Sequence, residues 1–403
     1  MKMNFSKTFA AKLLPMFFLP NILACSSISS VKTRFEDWQN NIVDRKTFQI
    51  RKEWIRQGPE KTNLAFRKIN RMSPILATNK THGNLLIEGN AIDGLVAYDS
   101  TNGHEIWRLN VQNGVEGSAT LVQNKLFFGG NDGQFYSVDS GTGKVLWTFP
   151  TRIQNLSEPL VDSGVVYFLT GSNSLYALDA NTGKQLWLYT RQDPNPLSVR
   201  GGSKPALRNG VLFVGFSDGY LAAIFAKNGE LKWEKQLNRN KKFKDMDTNP
   251  LVDGEFLYAL GFDDKLYCLR SSTGDIAWSS EKGGYGGMLI SGDKLFYATT
   301  TSEFLAVDKS TGNKIWSYSL KEGIATSPTL YRGLISFGES QGELIFLDSG
   351  TGKFVGAFNP GKGILSTPTV DEKNNRVYFI SGEANVYALD VGFKYPNAIP
   401  YLR

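Results

Sequence analysis

Histidine and cysteine are scarce in this 403-residue chain, with two of each, and that scarcity bounds its chemistry. His82 and His104 are too few for a multi-histidine metal cluster and fall in loop-like or turn contexts. Cys25 and Cys268 do not adjoin, and no Cys-x-x-Cys, P-loop or nucleophile elbow occurs. No catalytic residue and no cofactor is assigned on these grounds. The apolar stretch "LLPMFFLPNILA" (13–24) is interrupted by Pro15 and Pro20, too short to span a bilayer as a helix. Charge of one sign is also in short supply. The formal +7 includes Lys2, Lys7 and Lys12, which a chain starting at Cys25 lacks. Elsewhere Lys and Arg are interspersed with acids, except in "RNKKFK" (239–244), so nothing argues for a nucleic-acid partner. A helical period is absent throughout, which excludes bundles and α/β layers.

What the chain has is glycine, aromatic residues and one phrase rewritten along most of its length. The 41 glycines, 26 phenylalanines and 16 tyrosines suit many short strands joined by tight turns. "AYDSTNGHEIW" (97–107) recurs as "SVDSGTGKVLW" (137–147), "ALDANTGKQLW" (177–187), "IFAKNGELKW" (224–233), "CLRSSTGDIAW" (268–278), "AVDKSTGNKIW" (306–316) and "FLDSGTGKFVG" (346–356). Each phrase reads as a strand, a turn and a second strand. Glycine at 103, 143, 183, 229, 274, 312 and 352 fits a hairpin position that needs φ > 0. Four residues earlier stand Asp99, Asp139, Asp179, Asp308 and Asp348, whose carboxylates can accept backbone N–H bonds and lock the turn. Four residues later come Trp107, Trp147, Trp187, Trp233, Trp278 and Trp316. An indole spaced so regularly is expected to pack between one repeat and the next. Stacking on nucleic acid would instead need exposed aromatics beside basic residues.

Another pair of strands precedes each phrase, as in "SATLVQNKLFFGG" (118–130), so every unit of about 40 residues holds four strands. With the partial unit ending in "ANVYALD" (384–390), eight units are counted. No tryptophan follows Asp390, whereas Trp54 ends the strand-like "FQIRKEW" (48–54) ahead of the first unit. The predicted fold is all-β: an eight-bladed β-propeller of four-stranded antiparallel blades over residues 47–395, with the N-terminal strand closing the last blade. Residues 396–403 form a C-terminal tail. Cys268 stands where sibling repeats have Ala97, Ala177 and Ala306, so it is read as a small buried residue. "GGYGG" (283–287) precedes a strand, not a helix, and is read as tight packing between blades.

The N-terminus reads as an address. A basic n-region, the apolar segment 13–24 and small Ala24 ahead of Cys25 make residues 1–24 a signal peptide. "ILAC" (22–25) resembles the bacterial lipobox, which implies a lipidated Cys25, a tether over 25–46 and, with Ser26 following, an outer-membrane location at the periplasmic face. An ordinary cleaved signal with an incidental cysteine is the alternative.

The recurring "A-L-D-x-x-T-G-K-x-x-W" pattern, over about residues 45–390, resembles the quinoprotein (PQQ-type) propeller repeat. One branch of that family comprises dehydrogenases that bind pyrroloquinoline quinone and Ca²⁺. The other includes the BamB lipoproteins, subunits of the machine that folds β-barrels into the outer membrane. The lipobox and the lone blade array resemble the second; the adjacent cysteine pair typical of the first is missing. "LSVRGGSKP" (197–205) and "KDMDTNP" (244–250) are similar to BamB segments that hold the POTRA domains of BamA, the barrel-inserting subunit. The resemblance thus implies partner-binding roles for Leu197, Val199, Arg200, Asp245 and Asp247, with Val199 departing from the family's leucine. It also implies a monomer within a hetero-complex that acts on unfolded outer-membrane proteins, without catalysis. The spacing points to the same place, since successive tryptophans lie 40, 40, 46, 45 and 38 residues apart. The extra length follows Trp187 and Trp233, in the two connections holding those segments, and both should leave one rim. Other roles stay open: Arg200 pairing with Asp245 or Asp247, Leu197 and Val199 packing beneath the loop, a quinone-dependent oxidoreductase, or a propeller for another envelope partner.

Overall fold

Runs of four or five apolar residues bounded by turns become the middle strands of antiparallel sheets, buried on both faces. "LFFG" (126–129) and "LIFL" (344–347) are wholly inaccessible, as a strand sandwiched between two other sheets must be. The computed structural model describes residues 46–58, 71–79, 83–154, 157–192, 203–238, 246, 248–261, 263–284 and 286–394. All described strands fall into eight four-stranded sheets. In chain order these are blade I (Ile75–Asn110), blade II (Thr120–Pro150), blade III (Leu160–Thr190), blade IV (Ala206–Gln236), blade V (Leu251–Ser280), blade VI (Leu289–Ser319) and blade VII (Thr329–Phe358). Blade VIII takes three strands from Thr369–Lys394 and its fourth from Thr47–Arg56. The fold is the eight-bladed propeller predicted, closed by its N-terminal strand.

Turn and seal are chemically distinct. In the hairpin between third and fourth strands, the Asp139 carboxylate accepts from the Gly141 and Thr142 N–H groups at 3.1 and 2.9 Å and from the Thr142 hydroxyl at 2.8 Å. Asp179, Asp308 and Asp348 repeat this, and the hydroxyls of Thr182, Ser310 and Thr351 hold those carboxyls below the ordinary carboxylate range. The glycines that follow, from Gly103 to Gly352, have φ between 70° and 76°. The fourth-strand indole then reaches across to the next blade. Trp107 donates to Ser140 O at 3.1 Å, Trp147 to Ala180 O at 3.2 Å and Trp187 to Ala226 O at 2.9 Å. Each ring lies against the next blade's turn glycine, where an added Cβ would stand 2.6–2.7 Å from ring carbon. Trp278 keeps the ring contact, on Gly312, but not the hydrogen bond: its N–H has no partner, and Lys309 O, the equivalent carbonyl, accepts from the Tyr258 hydroxyl at 2.9 Å.

Ring closure reuses the same device once and improvises once. Trp54 donates to Ser100 O at 3.1 Å and packs on Gly103, sealing blade VIII to blade I. Between blades VII and VIII both halves of the seal are missing, because Gly356 stands at the tryptophan position and blade VIII has no such hairpin. The Phe48 ring fills the gap over Gly356 and lies 5.1 Å from that of Phe346. At the inner edge Thr369 donates to Pro74 O at 2.5 Å, completing a pattern seen between Thr329 and Pro368 O at 2.8 Å. The "GGYGG" glycines pack tightly, Gly287 donating its N–H to the Ser327 hydroxyl at 2.8 Å.

Candidate partner-docking face

Antiparallel order decides which connections share a face. When four strands alternate in direction, the second-to-third turn and the connection from the fourth strand to the next blade lie on one face. The two other hairpins lie on the opposite face. The connections after Trp187 and Trp233 therefore leave the same face, on neighbouring blades. The predicted contact residues Leu197, Val199, Arg200, Asp245 and Asp247 lie outside the described residues, as does Cys25. What is described is the footing of both connections.

The footing begins with a rule that blades I to IV and VI share. The first residue past the fourth strand donates its N–H to the blade's own second-to-third turn: Val111 to Asp93 O, Thr151 to Gly133 O, Arg191 to Asn173 O, Leu237 to Gly219 O, at 2.8–3.1 Å. Val111, Leu237 and Leu320 at this position are buried. Arg191 is a cation there instead. Its guanidinium pairs with Asp218 at 2.7 Å and with Glu234, both in blade IV. It also lies 4.5 Å from the Tyr220 ring centroid and 5.3 Å from that of Phe216. Only 14% of the side chain is exposed, so these contacts are weakly screened. The Asp218 and Glu234 carboxylates raise the Arg191 pKa further, against the cost of its burial.

The return ends are equally fixed. Ser203 is fully buried and donates to Thr248 O at 3.0 Å, while Lys204 N–H donates to the Asn249 side chain at 2.8 Å. Met246 is 1% exposed, and its N–H donates to Phe216 O at 3.1 Å. Its carbonyl lies against Gly215, where no side chain would fit. Ser203 and Thr248 belong to a hydroxyl series two residues before proline: Ser157, Ser203, Thr248, Thr326 and Ser366. Thr326, Thr248 and Ser366 accept from their own blade's second strand at 2.9–3.2 Å. Sequence reasoning passed over this series, although Ser/Thr-x-Pro ahead of a strand was a visible signal.

Other chemistry does not assemble here. Among the described residues, no three His, Cys, Asp or Glu side chains converge as metal ligands would. His104 is exposed on a hairpin, and His82 lies outside the described residues. Cys268 is fully buried, and burial pushes its thiol up to about 11, far from a reactive thiolate.

A family model described as outer membrane protein assembly factor BamB matches residues 93–318. A protein of that name from Shewanella oneidensis is 30% identical over 270 residues, covering 62% of this chain and 68% of the relative. Its counterpart from Salmonella typhimurium is 31% identical over 265 residues, covering 62% and 67%. The crystal structure of BamB from Moraxella catarrhalis is similar with a TM-score of 0.71 at 22% identity, over 85% of this chain and 100% of that one. A quinohemoprotein alcohol dehydrogenase from Pseudomonas putida reaches 0.67 at 14% identity, over 90% and 79%. The architecture is thus common to both branches of the repeat, and the sequence matches separate them.

Proposed function

The chain belongs to the family of outer membrane protein assembly factor BamB, and from that premise we propose that it is a non-enzymatic subunit of the outer-membrane β-barrel assembly machinery. Its signal peptide (1–24) is removed, a lipid on Cys25 anchors it at the periplasmic face of the outer membrane, and residues 25–46 tether the propeller. Several acyl chains on one cysteine would hold firmly where one chain binds marginally. The connections holding Leu197, Val199, Arg200, Asp245 and Asp247 bind the POTRA domains of BamA. The protein thereby assists folding and insertion of outer-membrane proteins.

The observation that carries this reading is the family match across residues 93–318, which includes both long connections and the blades that hold them. A shared face on neighbouring blades suits a single partner spanning both. Arginine's planar donors suit a protein interface. Capture of BamA from solubilised membranes by Arg200→Ala and Asp247→Lys variants is the test. Recovery should fall about tenfold or more for each; undiminished recovery by well-folded variants removes these residues from the interface.

Client contact follows from the open outer strands. Each fourth strand is a sheet edge, and Leu186 and Leu188 on that of blade III are 52% and 44% exposed. Such an edge can pair with an extended chain by strand addition. A photo-crosslinker at position 188 should capture unfolded barrel proteins during export. Capture of none, with BamA binding intact, would sink the edge-pairing idea alone.

A further inference from the structure

The turn joining the second and third strands of blade IV, Phe216–Tyr220, touches both long connections, the first at Arg191 and the second at Leu237, Asn238 and Met246. Asp218, Tyr220 and Phe216 hold Arg191, at the start of the first connection, by charge and by ring faces. Gly219 O accepts from Leu237 and Asn238, at the start of the second, at 3.0 and 3.2 Å. Phe216 O accepts from Met246, inside the second, and Met246 is buried against Gly215. The same turn is tied back to blade III, since Asn173 and Ser217 exchange two hydrogen bonds, at 2.6 and 3.1 Å. One five-residue turn thus joins the outgoing ends of two connections from successive blades.

Arg191 is the unusual member of this clamp. Val111, Leu237 and Leu320 bury an apolar side chain in the corresponding place, whereas Arg191 buries a cation. A cation held by two carboxylates and two rings costs desolvation that an apolar residue does not, and it fixes direction in a way that a leucine cannot.

We propose that the Phe216–Tyr220 turn acts as a clamp that sets the two partner-binding connections relative to one another, with Arg191 as its positioning residue. This rests on the assignment of those connections to BamA. The clamp makes no contact with the partner itself. It ties the described ends of both connections to one turn, so a partner that engages both connections meets ends already fixed relative to one another.

The test measures BamA affinity for the full chain carrying Arg191→Leu, alongside Arg200→Ala and their combination. Asp218→Asn serves as a milder second variant that keeps the arginine and its ring contacts. Arg191→Leu should weaken binding roughly tenfold at a temperature well below its unfolding midpoint, which should fall because Asp218 and Glu234 lose their cation. Hydrogen exchange should quicken in 193–202 and also in 239–247, across the clamp. Asp218→Asn should give smaller changes of the same sign, and the loss from combining Arg191→Leu with Arg200→Ala should be less than the product of the single losses. If Arg200→Ala weakens binding and Arg191→Leu does not, the clamp is wrong and the docking assignment stands. If Arg200→Ala has no effect, the docking assignment is what fails. Faster exchange in 193–202 alone would also overturn the clamp, since the two connections would then be independent.

Discussion

Glu88 breaks a rule that every other blade keeps. The register of second and third strands places it level with Phe128, Phe168, Val214, Ala259, Tyr297, Phe337 and Phe379. It is 2% exposed; one carboxyl oxygen is 3.5 Å from the Tyr98 hydroxyl and the other has no partner. Burial pushes its pKa up to about 8, with Asp93 and Glu105 adding to the rise, while Arg108 and the Tyr98 hydroxyl pull the other way. The folded chain therefore holds a proton that the unfolded chain releases near the ordinary carboxyl value. That favours the fold fully below about pH 4.5. The gain is lost as pH rises to about 8, at up to roughly 1.4 kcal/mol per unit. Urea midpoints between pH 5 and 9 should fall for the parent and stay flatter for Glu88→Gln. An unchanged slope in the variant would assign the pH dependence to another group.

At the scale of the blade, glycine and tryptophan form one joint, and two glycines separate its parts. Gly164 and Gly183 both have positive φ, 79° and 70°, but an added Cβ meets nothing at 164 and stands 2.6 Å from the Trp147 ring at 183. Alanine at 164 should cost about 1–2 kcal/mol for backbone strain alone. Alanine at 183 adds overpacking of about 1–3 kcal/mol. Equal losses in chemical denaturation would mean the ring is not confined there. This joint was legible because a period of about 40 residues repeats its three residue types at fixed offsets. Phe48 over Gly356 was not: the two lie at opposite ends of the chain, and nothing local marks a phenylalanine as substitute for an absent indole. The candidate site divides in the same way. Connection length is written in the spacing of the tryptophans, whereas Leu197, Arg200 and Asp247 rest on the resemblance of their segments to BamB and lie outside the described residues. Arg191 paired with Asp218 depends on which turn the next blade offers to the exit of the last, and no offset encodes that.

For the whole molecule, the late event is closure. The strand Thr47–Arg56 pairs with Val386–Lys394, so the first and last described strands must meet across nearly the entire chain. Loop-closure entropy has to be met before those contacts form. Blades I to VII, by contrast, each pair strands a few residues apart. The closing joints should therefore be absent from the folding transition state. Trp54, buried at 7% and bonded to Ser100 O, reports on one of them, and Trp147, bonded to Ala180 O, reports on a joint between consecutive blades. Alanine at either should cost about 3–5 kcal/mol at equilibrium. For Trp54→Ala nearly all of that loss should show as faster unfolding, with refolding almost unchanged. For Trp147→Ala part of it should slow refolding, because neighbouring blades can dock before the ring closes. Stopped-flow refolding and unfolding of the two variants separates these cases. A Trp54→Ala chain that refolds as slowly as Trp147→Ala would mean that the ends meet early and template the blades between them.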